Sequence, residues 1–283
     1  LLPPLAAAAL QTAIRFAPSQ PALFAAPDAL VNALADVDGD GDADLFVGFN
    51  GAPNRLYRND GGTFTEVGAA AGVADARATR AAAFGDWDGD GYPDLLVGFA
   101  PGPAGPVLRL LRNDAGRLTD VAADVGLADA RRSVGAVWAD LDADGDLDVV
   151  VGTMDGGANG VFRNDGGRFT DVAESWGLAW GGRTPRDSTL GTVRPCVADV
   201  DGDGRFDLVT ANYGPPGLFL ARDGGRWEDA GAAWGLAVDG RHDTCALADA
   251  DHDGRLDLSV NGTVTGGRHW PDRLWRHAGT RFE

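Results

Sequence analysis

Five copies of one acidic stretch recur along the chain and restrict its fold more than any other feature. Each copy reads Asp-x-Asp-x-Asp-Gly-x-x-Asp and runs directly into a short apolar segment, as in DVDGDGDADLFVG from Asp36. The copies begin at Asp36, Asp86, Asp140, Asp199 and Asp249, so the period is 50 to 59 residues. Internal repetition at this period is typical of folds built by repeating one supersecondary unit.

A second phrase follows each acidic stretch and indicates what that unit is. It reads RLYRNDGGTFTEV from Arg55, with relatives from Arg109, Gly160 and Leu218 and a clipped copy, RLWRHAGTRFE, ending at Glu283. Short β-branched and aromatic segments bounded by Gly, Asp and Pro indicate hairpins. Four such strands per unit predict an all-β fold, a five-bladed β-propeller of four-stranded antiparallel blades.

The repeats also predict the domain boundary and the way the ring closes. They occupy nearly the whole chain, so we expect a tail over residues 1–12 and a single propeller domain over residues 13–283. The stretch Ala13–Phe16 resembles the fourth-strand phrase that contains Phe169. We therefore expect it to form the outer strand of the last blade and close the ring, which removes an exposed sheet edge. An open arc of five units is the alternative.

The aspartates of each acidic stretch have the spacing of a calcium-binding loop. Carboxylates at positions 1, 3 and 5 of a tight loop point towards one centre, the carbonyl at position 7 can join them, and Asp at position 9 closes the far side. Such an all-oxygen shell suits calcium, since magnesium keeps more of its water. Gly at position 6 permits the backbone reversal. The predicted ligand positions are Asp36, Asp38, Asp40, Asp42 and Asp44; Asp86, Asp88, Asp90, Tyr92 and Asp94; Asp140, Asp142, Asp144, Asp146 and Asp148; Asp199, Asp201, Asp203, Arg205 and Asp207; and Asp249, Asp251, Asp253, Arg255 and Asp257.

An EF-hand and a set of solvated turns both fit these loops less well. An EF-hand needs Glu at position 12 before a helix, whereas this chain has Val47, Val97, Val151, Thr210 and Val260 there, inside apolar segments. Solvated turn aspartates would account for one loop but not for five complete ones. About five structural calcium ions would also bring the formal charge from −18 to −8, so much of the acidity is then ligand rather than surface.

Taken together, the acidic loop, the RLYRNDGGTFTEV phrase and the connectors such as AGV at Ala71 and WGL at Trp234 resemble FG-GAP/VCBS-type repeats. The resemblance is greatest to the ASPIC/UnbV (cartilage acidic protein-like) group and covers Ile14 to Glu283. It implies a propeller with calcium between the first two strands of each blade, as in integrin-α-like propellers. Those have seven blades and this chain shows five. The C-terminal domain that names the ASPIC group does not occur in these residues, so none of its roles is carried over.

A propeller places the acidic loops on one face and the connectors between blades on the other, and this second face is rich in arginine. Its least repetitive segment runs from Ala179 to Pro195. Guanidinium groups beside Trp and His suit an anionic or carbohydrate ligand. Alternatively, the arginines are solvated or paired with aspartates such as Asp187. The candidate ligand-binding residues are Arg183, Arg186, Arg194, Arg241, His242, His269 and Trp270.

Two classes of function are compatible with these residues. We favour a secreted, non-catalytic module that recognises a protein or an anionic or glycan ligand. The alternative is an enzyme, such as a lyase, cyclase or hydrolase of secondary metabolism, with His242 and Asp243 as the candidate catalytic pair. No Gly-x-Ser-x-Gly, HExxH or phosphate-loop motif is present. A deep pocket at the arginine-rich face would favour the enzyme.

Charge and cysteine content complete the sequence-based expectations. A net charge of −18 argues against a general nucleic-acid binder, and no apolar run approaches 18 residues, so no membrane span is expected. Cys196 and Cys245 fall on opposite faces of neighbouring blades, so the sulfurs either face each other as a disulfide or point apart as free thiols. We expect a monomer that is secreted, periplasmic or on the cell surface.

Overall fold

The computed structural model describes residues 20–100, 107–181 and 190–283, and the strands of these ranges group into five blades. Blade 1 comprises β1 (Ala29–Ala35), β2 (Asp44–Phe49), β3 (Arg55–Asp60) and β4 (Thr63–Glu66). Blade 2 comprises β5 (Thr79–Gly85), β6 (Asp94–Phe99), β7 (Leu108–Asp114) and β8 (Arg117–Asp120). Blade 3 comprises β9 (Ser133–Ala139), β10 (Asp148–Thr153), β11 (Gly160–Asn164) and β12 (Phe169–Asp171).

The last two blades follow the same order with one addition. Blade 4 comprises β13 (Gly191–Ala198), β14 (Asp207–Tyr213), β15 (Gly217–Arg222) and β16 (Arg226–Asp229). Blade 5 comprises β17 (His242–Ala248), β18 (Asp257–Gly262), β19 (Val264–Thr265), β20 (Arg268–His269) and β21 (Arg273–Trp275), of which β19 and β20 form a separate small hairpin. Consecutive strands pair antiparallel within blades 1 to 4, and in blade 5 β18 pairs antiparallel with β17 and with β21. The predicted fold class, a five-bladed all-β propeller, is confirmed.

The blades stack through apolar residues that alternate between the two faces of each central strand. In β6, for example, Leu95 and Val97 pack on blade 1 while Leu96 packs on blade 3. All six residues of β6 are buried, since a strand between two neighbouring blades has no solvent face. Four such cores join blades 1 to 5 in chain order. We call the face towards the next blade the forward face and the other the backward face.

Two separate constraints require glycine at the end of each connector helix. The four-residue helices α1 (Gly68–Ala71) and α2 (Ala122–Val125) end at Gly72 and Gly126, whose φ angles are +91° and +88°. A Cβ on Gly72 would also lie 2.5 Å from the Leu118 carbonyl oxygen of blade 2. The connector therefore needs both a left-handed backbone and a close approach to the next blade, and only glycine provides both.

A disulfide fastens blade 5 to blade 4. Cys196 on β13 lies on the forward face of blade 4, Cys245 on β17 lies on the backward face of blade 5, and the two are bonded. Of the two arrangements that the sequence left open, the structure has the one in which the sulfurs face each other.

The outer position of blade 5 differs from the expectation. Phe282 bridges to His277, and Arg276 and Glu283 exchange backbone hydrogen bonds of 2.9 Å. Residues at the end of the chain thus hold the place where we expected Ala13–Phe16, because they lie next to β21 and need only a tight turn to reach it. Ala13–Phe16 and the predicted tail lie outside the described residues.

The junction between blades 5 and 1 is unlike the other four. Leu274 on the forward face of blade 5 is 66% exposed, whereas its counterparts Leu56, Leu110, Val161 and Leu218 are buried. On the backward face of blade 1, Leu34 is 64% exposed. Among the described residues no apolar cluster joins these two faces, so the predicted closure is not seen in this part of the chain.

Candidate metal loops and the arginine-rich face

Each acidic loop gathers three carboxylates around one point. In every loop, one oxygen from each of three aspartates lies within 4.8 Å of the others. The groups are Asp36, Asp38 and Asp40; Asp86, Asp88 and Asp90; Asp140, Asp142 and Asp148; Asp199, Asp201 and Asp203; and Asp249, Asp251 and Asp257. In blades 1, 2 and 4 these are the aspartates at positions 1, 3 and 5, whereas in blades 3 and 5 the aspartate at position 9 takes the place of the one at position 5.

The first aspartate of each loop shapes the backbone around it. Asp36 accepts hydrogen bonds from the N–H groups of Gly39, Asp40 and Gly41 at 2.8–3.1 Å. Gly41 at position 6 has a φ of +94°, and position 6 is left-handed in all five loops. The backbone is thus folded around the first carboxylate, and the other aspartates are carried to the same side.

The ninth aspartate ties the loop to the third strand of its blade. Asp94 is fully buried and accepts the N–H of Trp87 at 3.2 Å and the N–H of Asn113 on β7 at 2.7 Å. Asp44, Asp148, Asp207 and Asp257 make the same pair of contacts in their own blades. This aspartate is consequently part of the blade as well as of the loop.

Burial of these carboxylates perturbs their acidity. Burial raises the pKa of Asp94 and of Asp148 to about 7 and that of Asp207 to about 6, although backbone N–H donors oppose the shift. Burial also raises the pKa of Asp44. Asp257 is the exception, since the His277 N–H holds its pKa below the usual range. Desolvated carboxylates this close together favour a bound cation that would offset their charge.

The donor set fits a hard divalent cation. The Oδ1 atoms of Asp38 and Asp142 are buried at position 3 of their loops without a hydrogen-bond partner among the described residues. Oxygen is the ligand that calcium prefers, and a bound ion would satisfy such orphaned atoms. Tyr92, Arg205 and Arg255 occupy position 7, where the backbone carbonyl rather than the side chain is the donor.

On the opposite face, the structure brings part of the predicted ligand-binding set together at blade 5. The Arg268 guanidinium lies 3.8 Å from the Trp270 ring centre, and that of Arg241 lies 5.4 Å from the same ring. Arg241 also lies 5.4 Å from the ring of Tyr213 on β14. We call Tyr213, Arg241, Arg268 and Trp270 the arginine–tryptophan cluster. Tyr213 was not predicted, because nothing in the repeat marks the end of a second strand as a site.

The remaining predicted residues of this face are more scattered. His269 is exposed on β20, next to the cluster in sequence. Arg194 is half-buried on β13 and forms no ion pair with the described residues. Arg183 and Arg186 lie outside the described residues.

His242 and Asp243 show no hydrogen bond to each other. The His242 ring is fully buried and neither ring nitrogen has a hydrogen-bond partner in the described part of the chain. Burial, and next the positive charge of Arg273, lower its pKa. The ring packs so closely on Gly240 that a Cβ there would lie 2.1 Å from Nε2. The two side chains therefore lack the connection that an acid–base pair needs.

Several connector arginines have carboxylate partners, in agreement with the alternative interpretation of this face. Arg77 pairs with Asp75 at 2.8 Å, and Arg131 pairs with Asp129 and with Asp171. Arg132 pairs with Asp155 at 2.5 Å. These guanidiniums stabilise the connectors. In the arginine–tryptophan cluster, Arg241 approaches Asp239 only to 3.9 Å and Arg268 has no carboxylate partner in the described residues, so the cluster is the better candidate for a ligand.

Five clefts of about 210–410 Å³ indent the described surface. None of these five is lined by Arg194, Arg241, His242 or His269. Four of them border acidic loops, and the one between blades 3 and 4 is lined by Phe206 and Trp227. The fifth, of about 280 Å³ and lined by Asn54 and Arg55, lies on the connector side at blade 1 and contains no residue of the arginine–tryptophan cluster.

Comparison with models of known protein families identifies the family of this chain. The model of the FG-GAP-like repeat matches residues 36–97, 140–210 and 199–260, which together cover more than half of the chain. The chain belongs to the FG-GAP-like repeat family. Comparison with curated proteins gives no significant match. No helix in the described residues is long and apolar enough to cross a membrane.

Solved structures share the fold of this FG-GAP-repeat protein at low sequence identity. An Agrocybe aegerita lectin that recognises non-reducing terminal N-acetylglucosamine is 20% identical, with a TM-score of 0.51 over 91% of this chain and 65% of its own. The V. cholerae biofilm matrix protein Bap1 is 18% identical, with a TM-score of 0.53 over 90% of this chain and 38% of its own. The exotype rhamnogalacturonan lyase YesX is 18% identical, with a TM-score of 0.51 over 90% and 48%. The chain thus spans less than two thirds of these structures, and the likeness is one of fold.

Proposed function

We propose that this protein is a calcium-stabilised recognition module that binds a glycan or an anionic ligand through the arginine–tryptophan cluster. The observation that supports it best is Trp270, a half-buried aromatic ring with the guanidiniums of Arg268 and Arg241 beside it. Aromatic rings stack on the apolar faces of sugars, and guanidiniums bind carboxylates through paired hydrogen bonds. The lectin of the same fold binds a sugar, which makes this ligand class a reasonable first choice.

The other finer expectations belong to the same proposal. We assign one calcium ion to each acidic loop, since five converging carboxylate groups and two orphaned oxygens call for a cation. The disulfide supports a secreted, periplasmic or cell-surface location, where such bonds persist. The phrases and connectors still favour the ASPIC/UnbV group within the family, and a monomer remains our expectation. The enzyme alternative has less support because His242 and Asp243 are not connected.

A ligand screen with matched variants tests the proposed site. Thermal-shift measurements at constant calcium would compare neutral and acidic glycans on the parent protein and on the Trp270→Ala and Arg241→Ala variants. We expect a stabilising ligand whose effect is lost in both variants and kept in Arg117→Ala, an exposed arginine on blade 2 that has no ion pair in the described residues. A ligand that stabilises all three variants equally would place the binding site elsewhere.

A further inference from the structure

A cleft between the acidic loop of blade 3 and the outer hairpin of blade 4 combines features that the family repeat does not explain. Its volume is about 330 Å³, and its walls are residues 140–143 on one side and residues 204–206 and 221–227 on the other. A shallower cleft of about 410 Å³ continues along blade 4 past Arg226 and Glu228. Phe206 is 46% exposed here, at a loop position where the other blades have Ala43, Pro93, Leu147 and Leu256.

Two guanidiniums, Arg222 of this hairpin and Arg205 of the loop itself, hold the carboxylates of the blade 4 acidic loop. Arg222 Nη1 lies 2.6 Å from Asp201 Oδ2 and 3.5 Å from Asp203 Oδ2, and Arg205 Nη2 lies 2.6 Å from the same Asp203 oxygen. The Oδ1 atoms of both aspartates already accept backbone N–H groups of the loop, at 3.2 Å and 3.0 Å. The oxygens left for a cation are therefore those that the guanidiniums occupy.

The other described loops show weaker competition of this kind. In blade 3, Arg163 pairs with Asp165 of its own turn rather than with a loop carboxylate. In blade 1, Arg58 approaches Asp38 only to 3.9 Å. Blades 2 and 5 each have one guanidinium on the loop, from Arg112 and Arg255. Blade 4 has two, so a cation entering its loop must displace two positive charges.

The displaced side chains remain at the cleft because each has a second partner there. Arg222 Nε lies 2.9 Å from Glu228 Oε2, and Arg205 Nη1 lies 2.9 Å from Asp223 Oδ1. Arg226 is exposed and donates only to the Asp223 carbonyl in the described residues. A calcium ion in the loop would offset two of its four negative charges, and Arg226 is a guanidinium beside Phe206 and Trp227 that no carboxylate of the described residues holds.

We propose that this cleft is a second ligand site, on the acidic-loop face, that binds a sugar carrying one carboxylate and is switched on by calcium in the blade 4 loop. Asp201 and Asp203 would hold the calcium ion, which would compete with Arg222 and Arg205 for these carboxylates, and the released guanidiniums together with Arg226 bind the carboxylate of the sugar. The sugar ring stacks on Phe206. Because binding couplings are reciprocal, the sugar in turn tightens the binding of calcium to this loop.

The test uses methyl β-D-glucuronoside as the probe and methyl β-D-glucoside as its uncharged control. The shift in melting temperature that each sugar causes is measured with the whole chain at two calcium concentrations, both high enough to keep it folded. If sugar and calcium bind independently, the affinity derived from the shift is the same at both concentrations. We expect the glucuronoside to bind at least about fivefold more tightly at the higher one. The proposal would be overturned if the glucuronoside bound with the same affinity at both calcium concentrations, or if the glucoside bound as tightly as the glucuronoside.

Variants separate this site from the arginine–tryptophan cluster. Arg222→Ala and Arg226→Ala should each weaken glucuronoside binding about tenfold or more, as expected for the loss of a charged hydrogen-bond donor. Arg222→Ala should also tighten calcium binding to the loop, because a competing cation is removed. Arg163→Ala, which removes a guanidinium from the third strand of blade 3, and Trp270→Ala on the other face should leave glucuronoside binding unchanged. Loss of binding in Arg163→Ala to the same extent would contradict the site, and loss in Trp270→Ala alone would assign the sugar to the cluster instead. Unchanged melting of each variant in calcium without sugar serves as the folding control.

Discussion

The two faces of the propeller follow the repeat to very different degrees. On the acidic-loop face, each blade repeats the same contacts, from the first aspartate on the loop backbone to the ninth aspartate on the third strand. On the opposite face, blade 2 has Thr79 at the start of its innermost strand and blade 5 has His242. Contacts repeated in every blade are those that every blade needs in order to fold. Contacts found once have another reason, and that face carries the proposed arginine–tryptophan site.

Removing calcium should produce the largest effect, because it acts on all five loops. A site saturated at 100 times its dissociation constant contributes about 2.7 kcal/mol to stability. For a protein of this size, each kcal/mol shifts the melting temperature by about 2–4 °C, so we expect a chelator to lower it by roughly 10 °C or more. Calcium should restore the melting temperature and an equal concentration of magnesium should not. An unmoved melting curve would contradict metal binding.

A single ninth aspartate should matter more than any residue of the arginine–tryptophan cluster. Asp94→Ala leaves the buried N–H groups of Trp87 and Asn113 without their acceptor, which costs about 3 kcal/mol. Arg241→Ala on the other face should change stability by less than about 1 kcal/mol. Urea unfolding at saturating calcium measures both. Asp201→Asn keeps an oxygen ligand and disturbs one loop, so its effect should be smaller than that of chelation. If Arg241→Ala destabilises as much as Asp94→Ala, the division between the faces is wrong.

The sequence predicted the acidic-loop face well because its signal is local. The glycine at position 6 and the spacing of the aspartates lie within nine residues, and the backbone of each loop closes on Asp36 or its equivalent without help from distant parts of the chain. The other face depends on tertiary contacts that no pattern encodes. The Tyr213 ring of blade 4 contacts Arg241, which directly precedes the first strand of blade 5. The His242 side chain is buried although its neighbours in sequence are not.

The outer strand of blade 5 illustrates a second limit of the sequence. Ala13–Phe16 and the end of the chain, TRFE, both resemble the fourth-strand phrase, so the pattern alone could not choose between them. The structure gives the position to Phe282 and Glu283, which a tight turn connects to β21. Sequence similarity shows only that either segment could form the outer strand of blade 5. The length of chain that connects each segment to β21 is what distinguishes them.

The junction between blades 5 and 1 gives a third prediction, of intermediate size. Asn113 and Asn59 make the same contacts within their blades, to Pro93 and Gly116 and to Ala43 and Gly62, respectively. Asn113 also donates to the Val37 carbonyl of blade 1 at 2.8 Å, and Asn59 has no such partner on another blade in the described residues. Asn113→Ala should therefore destabilise the protein by about 1 kcal/mol more than Asn59→Ala. Equal losses in urea unfolding would show that blade 5 packs on blade 1 in solution, and the ring is then closed.

The smallest expected effect concerns His242, the buried histidine of the arginine-rich face. Burial and the positive charge of Arg273 lower the pKa of His242, and the positive charge of Arg241 adds to this effect. The negative charges of Asp239 and Asp243 oppose it. A histidine whose pKa is lower in the folded state stabilises the protein above its unfolded pKa of about 6.5, and this contribution is lost as the pH falls through the folded value. His242→Thr introduces the residue that blades 2 and 4 have at this position and should flatten the fall in stability between about pH 7.5 and pH 5.5.

The comparison of unfolding midpoints at these two pH values, with calcium saturating at both, isolates the contribution of His242. The exposed His269 provides the matched control, since His269→Thr leaves the buried ring in place and should reproduce the pH dependence of the parent protein. If His242→Thr keeps the full acid sensitivity, the sensitivity arises on the acidic-loop face, where protons and calcium compete for the same carboxylates. The response to pH would then belong to the acidic loops and not to the arginine-rich face.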